Sequence, residues 1–150
     1  MTPFEICDRV SWLIDEMNRR NTLFADARVD GIDDWNSMKN KTPLPYLILA
    51  FDEMLDFYMT LEREDDSKGA IQQVTSELVS LVNKAASTGI FCIFVTQVGE
   101  NPHLKKVLSG VKTVVAFSCK KQSLQKIKDD DGRMSIVNRL KGKGHGALFA

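Results

Sequence analysis

The sequence is poor in the residues that build metal cages and disulfide frameworks, with three cysteines and two histidines in 150 residues. Cys7, Cys92 and Cys119 are odd in number and none stands at zinc-ligand spacing from another; His103 and His145 are too far apart for a local metal site. No serine or cysteine sits in a nucleophile motif, which removes the common hydrolase signatures. No apolar run reaches the roughly 20 residues that span a bilayer. The N-terminus also lacks the basic start and apolar stretch of a secretory leader. A reducing cytoplasm is the expected setting, with Cys92 of "IFCIFV" a small core residue. Internal repeats and low-complexity tracts are missing too, so repeat architectures are excluded.

What is present is the composition of one domain with a sizeable core, 43% hydrophobic and 27% charged. The formal net charge of zero conceals an asymmetry. Residues 1–100 hold 17 acidic and 9 basic side chains, net −8, and residues 101–150 hold 3 and 11, net +8. Such a split suits a molecule with one face that repels phosphate backbones and another that attracts them, or two surfaces of an ordinary soluble fold.

Along the chain, helical and strand patterns alternate. Thr2, Pro3 and Glu5 form a capping-box signature, and Ile6, Val10, Leu13 and Met17 follow at helical spacing, so a helix is expected from about Pro3 to Ala27. "VDGIDDWNSMKNKTPLP" is polar, Gly- and Pro-punctuated and aperiodic, which reads as a loop. "YLILAF" reads as a short strand, apolar on both faces as at the centre of a parallel sheet. Ile71, Val74, Leu78, Leu81, Val82 and Ala85 make a helical stripe ending at Gly89. "IFCIFVT" follows as a second buried strand, "PHLKKVLS" as a short helix and "VKTVVAFS" as a third strand. Lys120 to Lys128 is expected to be helical, "DDDG" a turn, "MSIVNRL" a short helix or strand, and "ALFA" a terminal strand after the glycine-rich "KGKGHG". This order predicts an α/β fold, right-handed crossovers and a mostly parallel sheet with helices on both faces.

In such sheets the chemistry lies beyond the carboxyl ends of the strands. Asp52 and Glu53 stand there, directly after "YLILAF". A buried carboxylate at that point needs a cation, a metal or several donors. A strand ending in paired acids is the Walker-B arrangement, in which the first acid holds the Mg²⁺ of a bound nucleotide and the second activates the attacking water. The plainer alternative is two solvated acids at a strand end, with Asp56 charging the first turn of the next helix. Thr96 and Gln97 stand at the equivalent end of "IFCIFV", where an amide could contact a γ-phosphate or its attacking water. Their plainer alternative is a polar pair bonding a loop backbone.

Five ordered blocks resemble the motor domain of the FtsK/SpoIIIE family of DNA translocases. "WLIDEMNRRNTLFADARVDGIDDWN" is similar to that family's "EMERRY", "LFA" and "GVRNIxxYN". "LPYLILAFDEMLDF" is similar to "LPYIVVxxDEFADL", and "AASTGIFCIFVTQ" to "ARAxGIHLxxATQ". "VKTVVAFSCKKQSLQKI" resembles "IPTRIAFxVSSxxDSRxIL", and "LKGKGHGALF" resembles "LLGxGDMLY". The resemblance covers nearly the whole chain. It implies a RecA-like P-loop NTPase core, incomplete at its N-terminus: a single partial motor domain over 1–150, with a leading helix at 1–28, a loop at 29–45 and an α/β core at 46–150.

The resemblance further implies an ATP-dependent translocase of double-stranded DNA, usually a homo-hexamer, using ATP and Mg²⁺. Its relatives move chromosomes, plasmids or integrative elements, or drive protein secretion. Asp52 would be the Mg²⁺-binding Walker-B acid, Glu53 the catalytic base, Gln97 the γ-phosphate sensor and Thr96 its partner in nucleotide binding. Asp56 matches the last acid of "DEFAD" and would support the site. Arg19, Arg20, Lys120 and Lys121 would contact DNA or a neighbouring subunit; the arginines could equally pair with Asp15 and Glu16 on a solvated helix face. Any membrane anchor would lie in segments outside this sequence.

The departures from the family are specific. No "GxxxxGK[ST]" occurs, so the loop that cradles phosphates is missing, and this chain would be inactive alone. Val98 stands where an arginine is usual, Gln122, Ser123 and Leu124 replace "DSR", and Gly146 or His145 replaces the aspartate of "GDM". These changes put any inter-subunit arginine in doubt and point away from the chromosome-segregating members, toward a divergent plasmid or integrative-element coupling protein. The competing expectations are a catalytically inactive DNA-binding or oligomerisation module, and a receiver-like doubly wound domain whose acids bind Mg²⁺ for another purpose.

Overall fold

The computed structural model describes residues 1–97, 101–117 and 146–149. Helix α1 spans Pro3–Ala27 and is closed at its start by the expected capping box. The Thr2 amide donates to Glu5 Oε2 at 2.6 Å, and the Glu5 amide donates to Thr2 Oγ1 at 3.2 Å. Its buried stripe runs Val10, Leu13, Met17, Arg20 and Phe24.

The 29–45 stretch differs from the expected loop, because helix α2 forms over Ile32–Ser37. Ile32 and Trp35, three residues apart, fall on one helical face and are buried against Phe24, with the Trp35 and Phe24 ring centroids 5.8 Å apart. Two apolar residues at that spacing suffice to fold six residues once a partner is present. Asn36 then exchanges two hydrogen bonds with the Leu44 backbone, at 2.7 and 2.9 Å, and fixes the approach to the first strand.

Strand β1 (Leu47–Phe51) pairs in parallel with β2 (Ile90–Phe94), in the register Leu47 to Ile90 through Phe51 to Phe94. Between them lie α3 (Met54–Leu61) and α4 (Ser67–Lys84). A 3-10 turn at Ala86–Thr88 ends at Gly89 with φ 76°, the left-handed region where a side chain is strained; a Cβ there would also overlap the Ile32 side chain. After β2 comes α5 (Pro102–Leu108), capped by Asn101, whose Oδ1 accepts from the amides of His103 and Leu104.

The larger core cluster joins α1, α3, α4, α5 and both strands, from Val10 and Leu13 of α1 through Phe51 of β1 to Leu78 of α4 and Leu104 of α5, while α2 packs in the smaller cluster around Phe24. Phe51, with Leu47 and Leu49 partly buried, faces that core. Ile48, Phe91 and Ile93 point the other way and are 65%, 44% and 52% exposed. Among the described residues, the sheet thus has helices on one face only. Strands β3 (Val114–Phe117) and β4 (Gly146–Phe149) pair antiparallel with each other, as a two-stranded sheet distinct from β1 and β2. The expected elements over 120–140 and the "KGKGHG" turn lie outside the described residues. No described helix is long and apolar enough to cross a membrane.

Candidate functional site

The parallel pairing of β1 and β2 ends both strands at one edge, so the chain segments that follow them meet. Two backbone hydrogen bonds continue the contact past the strands: Val95 N–H donates to Phe51 O at 2.8 Å, and Met54 N–H donates to Val95 O at 3.1 Å. The pair Asp52 and Glu53 is thereby brought to the pair Thr96 and Gln97, more than 40 positions away in sequence.

Glu53 is the N-cap of α3, where the helix's free amides and dipole favour a carboxylate. Its Oε1 accepts from three donors: Thr96 Oγ1 at 3.0 Å, the Gln97 amide at 3.2 Å and the Leu55 amide at 3.3 Å. Its Oε2 lies 3.3 Å from the same Gln97 amide. The Thr96 hydroxyl also accepts from the Leu55 amide at 3.3 Å. The Gln97 side chain is exposed.

Asp52 is exposed at the bend between β1 and α3, and its carboxylate has no hydrogen bond or ion pair among the described residues. Asp56 is exposed in the first turn of α3. No group of three or more His, Cys, Asp or Glu among the described residues forms a protein cage for a metal. A single free carboxylate suits Mg²⁺, which keeps several waters and is shared between one or two carboxylates and substrate phosphates. Asp52 would hold such an ion.

The paired arginines separate. Arg19 is exposed and bidentate on Glu16, at 2.6 and 2.8 Å. Arg20 is 1% exposed and committed internally, its Nε donating to Glu16 at 2.7 Å and its Nη1 to the carbonyls of Pro45 and Thr88, both at 2.8 Å. This corrects the expectation that Arg20 reaches DNA or a neighbouring subunit: its guanidinium ties α1 to the entries of β1 and β2. The signal was present in the sequence, because Arg20 continues the Val10, Leu13, Met17 stripe by three residues. Hydrogen bonds from Arg19 first, and then Arg20, hold the Glu16 carboxyl down at about 2. Burial pushes the Cys92 thiol up to about 11, which keeps it protonated as a core group. Lys120 and Lys121 lie outside the described residues.

No protein-family description matches the chain. It is 29% identical over 126 residues to DNA translocase FtsK of Mycobacterium tuberculosis (strain CDC 1551 / Oshkosh), an alignment covering 75% of this chain and 14% of that protein. The chain therefore spans about a seventh of that translocase's length. In structure it matches the pCW3 conjugation coupling protein TcpA, solved as a monomer with ATPγS, at a TM-score of 0.82 and 16% identity, over 98% of this chain and 41% of that one. It also matches the cytoplasmic domain of the Thermomonospora curvata type VII secretion ATPase EccC, at a TM-score of 0.68 and 17% identity, over 98% of this chain and 16% of that one.

Proposed function

This chain is a relative of the FtsK/SpoIIIE DNA translocases with a partial RecA-like α/β fold, and we propose that it is the Walker-B-bearing part of an ATP-driven motor that moves double-stranded DNA. The observation that carries this reading is the junction of Asp52 and Glu53 with Thr96 and Gln97 at the carboxyl ends of two parallel strands. Paired acids on one strand and a polar pair on its neighbour are what hydrolysis of a terminal phosphate requires of this edge.

In this reading Asp52 binds the nucleotide's Mg²⁺, which neutralises charge on the phosphates. Glu53 accepts the proton of the attacking water, and the exposed Gln97 amide contacts the γ-phosphate or that water. Residues 1–150 act as one partial motor domain, with the leading helix at 1–28, the connection at 29–45 and the α/β core at 46–150. The phosphate-cradling loop comes from outside this sequence, since no "GxxxxGK[ST]" occurs in it. The uncovered apolar face at Ile48, Phe91 and Ile93 supports a place inside a larger body, because contiguous exposed apolar surface marks contact sites. A cytoplasmic homo-hexamer around duplex DNA follows from the family resemblance. Arg19, Lys120 and Lys121 are candidates for DNA or subunit contacts.

The test is Glu53→Gln in the motor assembled around this chain. ATP binding should persist while DNA-stimulated hydrolysis falls by on the order of 10² to 10⁴; unchanged turnover would remove Glu53 as the base. The missing phosphate loop favours a second reading, a non-hydrolysing DNA-binding or oligomerisation module. Under it no assembled form turns over ATP, while DNA affinity falls steeply with salt.

A further inference from the structure

The hydrogen bonds at Glu53 are unevenly divided between its two oxygens. Oε1 faces three donors, Thr96 Oγ1, the Gln97 amide and the Leu55 amide, at 3.0, 3.2 and 3.3 Å. A carboxylate oxygen has two lone-pair sites, so Oε1 is saturated. Oε2 receives only the longer branch of the Gln97 amide's bond, at 3.3 Å, and keeps free acceptor capacity. Two of the three donors are backbone amides and fixed by the fold. The third is a side chain, and its single proton has two acceptors within reach, Glu53 Oε1 at 3.0 Å and Gln97 O at 2.9 Å. The charged acceptor forms the stronger bond, so the proton belongs on Glu53.

We propose that Thr96 is a positioning residue for Glu53, anchoring Oε1 so that Oε2 is the oxygen presented to the attacking water. Thr96 thus acts on the base, where the sequence pointed to the nucleotide. The inference rests on the hydrolytic reading above and deepens it. In the step concerned, the water oxygen bonds to the terminal phosphorus and the bond from phosphorus to the bridging oxygen breaks. The water's proton ends on Oε2 and the leaving group departs as the diphosphate. An unanchored carboxylate would rotate about its terminal torsion, and proton transfer depends on that alignment.

Thr96→Val keeps the shape and removes the hydroxyl, whereas Thr96→Ser keeps the hydroxyl. In the motor assembled around this chain, Thr96→Val should lower kcat by about 10- to 100-fold with KM for ATP unchanged, and Thr96→Ser should restore turnover to within a few-fold of wild type. Wild-type kcat in Thr96→Val would overturn the proposal and leave the base assignment standing. A second measurement, on the 150-residue chain itself, is independent of hydrolysis. In NMR spectra with a ¹³C label on the glutamate side-chain carboxyl, Thr96→Val should shift the Glu53 carboxyl resonance and Thr96→Ser should leave it close to wild type. A Glu53 carboxyl resonance unmoved by Thr96→Val shows that the hydroxyl does not hold the carboxylate, and overturns the proposal whether or not the motor hydrolyses ATP.

Discussion

Among the described residues, Arg20 is the charged side chain buried most completely. A guanidinium at 1% exposure is tolerable only because a carboxylate and two carbonyls receive it. Its three acceptors come from α1, from Pro45 ahead of β1 and from Thr88 ahead of β2. One side chain thus fixes where both strands begin, and so where Asp52 and Thr96 end. Removing Glu16 would leave that buried charge without its counter-ion, so Glu16→Gln should cost about 3–5 kcal/mol. Arg19→Gln breaks only an exposed pair and should cost at most about 1 kcal/mol. Urea unfolding of the two variants checks the contrast. The pH dependence has a defined sign: with the Glu16 carboxyl at about 2 in the fold and near 4.5 unfolded, its contribution is full above pH 4.5 and is lost as pH falls toward 2. Glu16→Gln should flatten that acid limb.

At the scale of elements, Gly89 shows how tightly the pieces are fitted. It closes the turn after α4 at φ 76°, and Ile32 of α2 packs where its Cβ would be. Gly89→Ala should therefore destabilise by about 1–3 kcal/mol through both backbone strain and displacement of Ile32. Leu78→Ala, in the fully buried stripe of α4, should cost about 2–5 kcal/mol; thermal or urea denaturation measures both. The α4 stripe, the capping box of α1 and the apolar runs of β1 and β2 were legible because each is a local pattern with a fixed period or spacing. Helix α2 was not, since Ile32 and Trp35 declare a helical face only once Phe24 is there to cover it. The antiparallel return of β4 onto β3 was equally hidden, because strand direction is a tertiary property that "GALF" does not encode. At the site, the acids could be read from the end of "YLILAF". The bond from Thr96 to Glu53 could not, because it depends on the parallel register of two strands 43 positions apart.

For the molecule as a whole, the two faces of the β1–β2 sheet make opposite demands on the same kind of residue. Ile48 and Ile93 look like core residues in sequence, yet they are 65% and 52% exposed, beside Tyr46 stacked on Phe91 with ring centroids 6.1 Å apart. Phe51, on the inner face of the same strand as Ile48, is 7% exposed within the core. Charge placed on the outer face meets water, and charge placed on the inner face meets hydrocarbon. In the 150-residue chain, Ile48→Lys and Ile93→Lys should each change stability by no more than about 0.5 kcal/mol, while Phe51→Ala should cost about 3–5 kcal/mol. Chemical denaturation decides the matter: a loss of several kcal/mol from Ile48→Lys would mean that the chain covers this face itself. Within the proposed motor, Ile48→Lys and Ile93→Lys should impair assembly or turnover although they leave the chain folded. That split between an intact fold and a failed assembly separates a surface left open for a covering layer from one that is merely exposed.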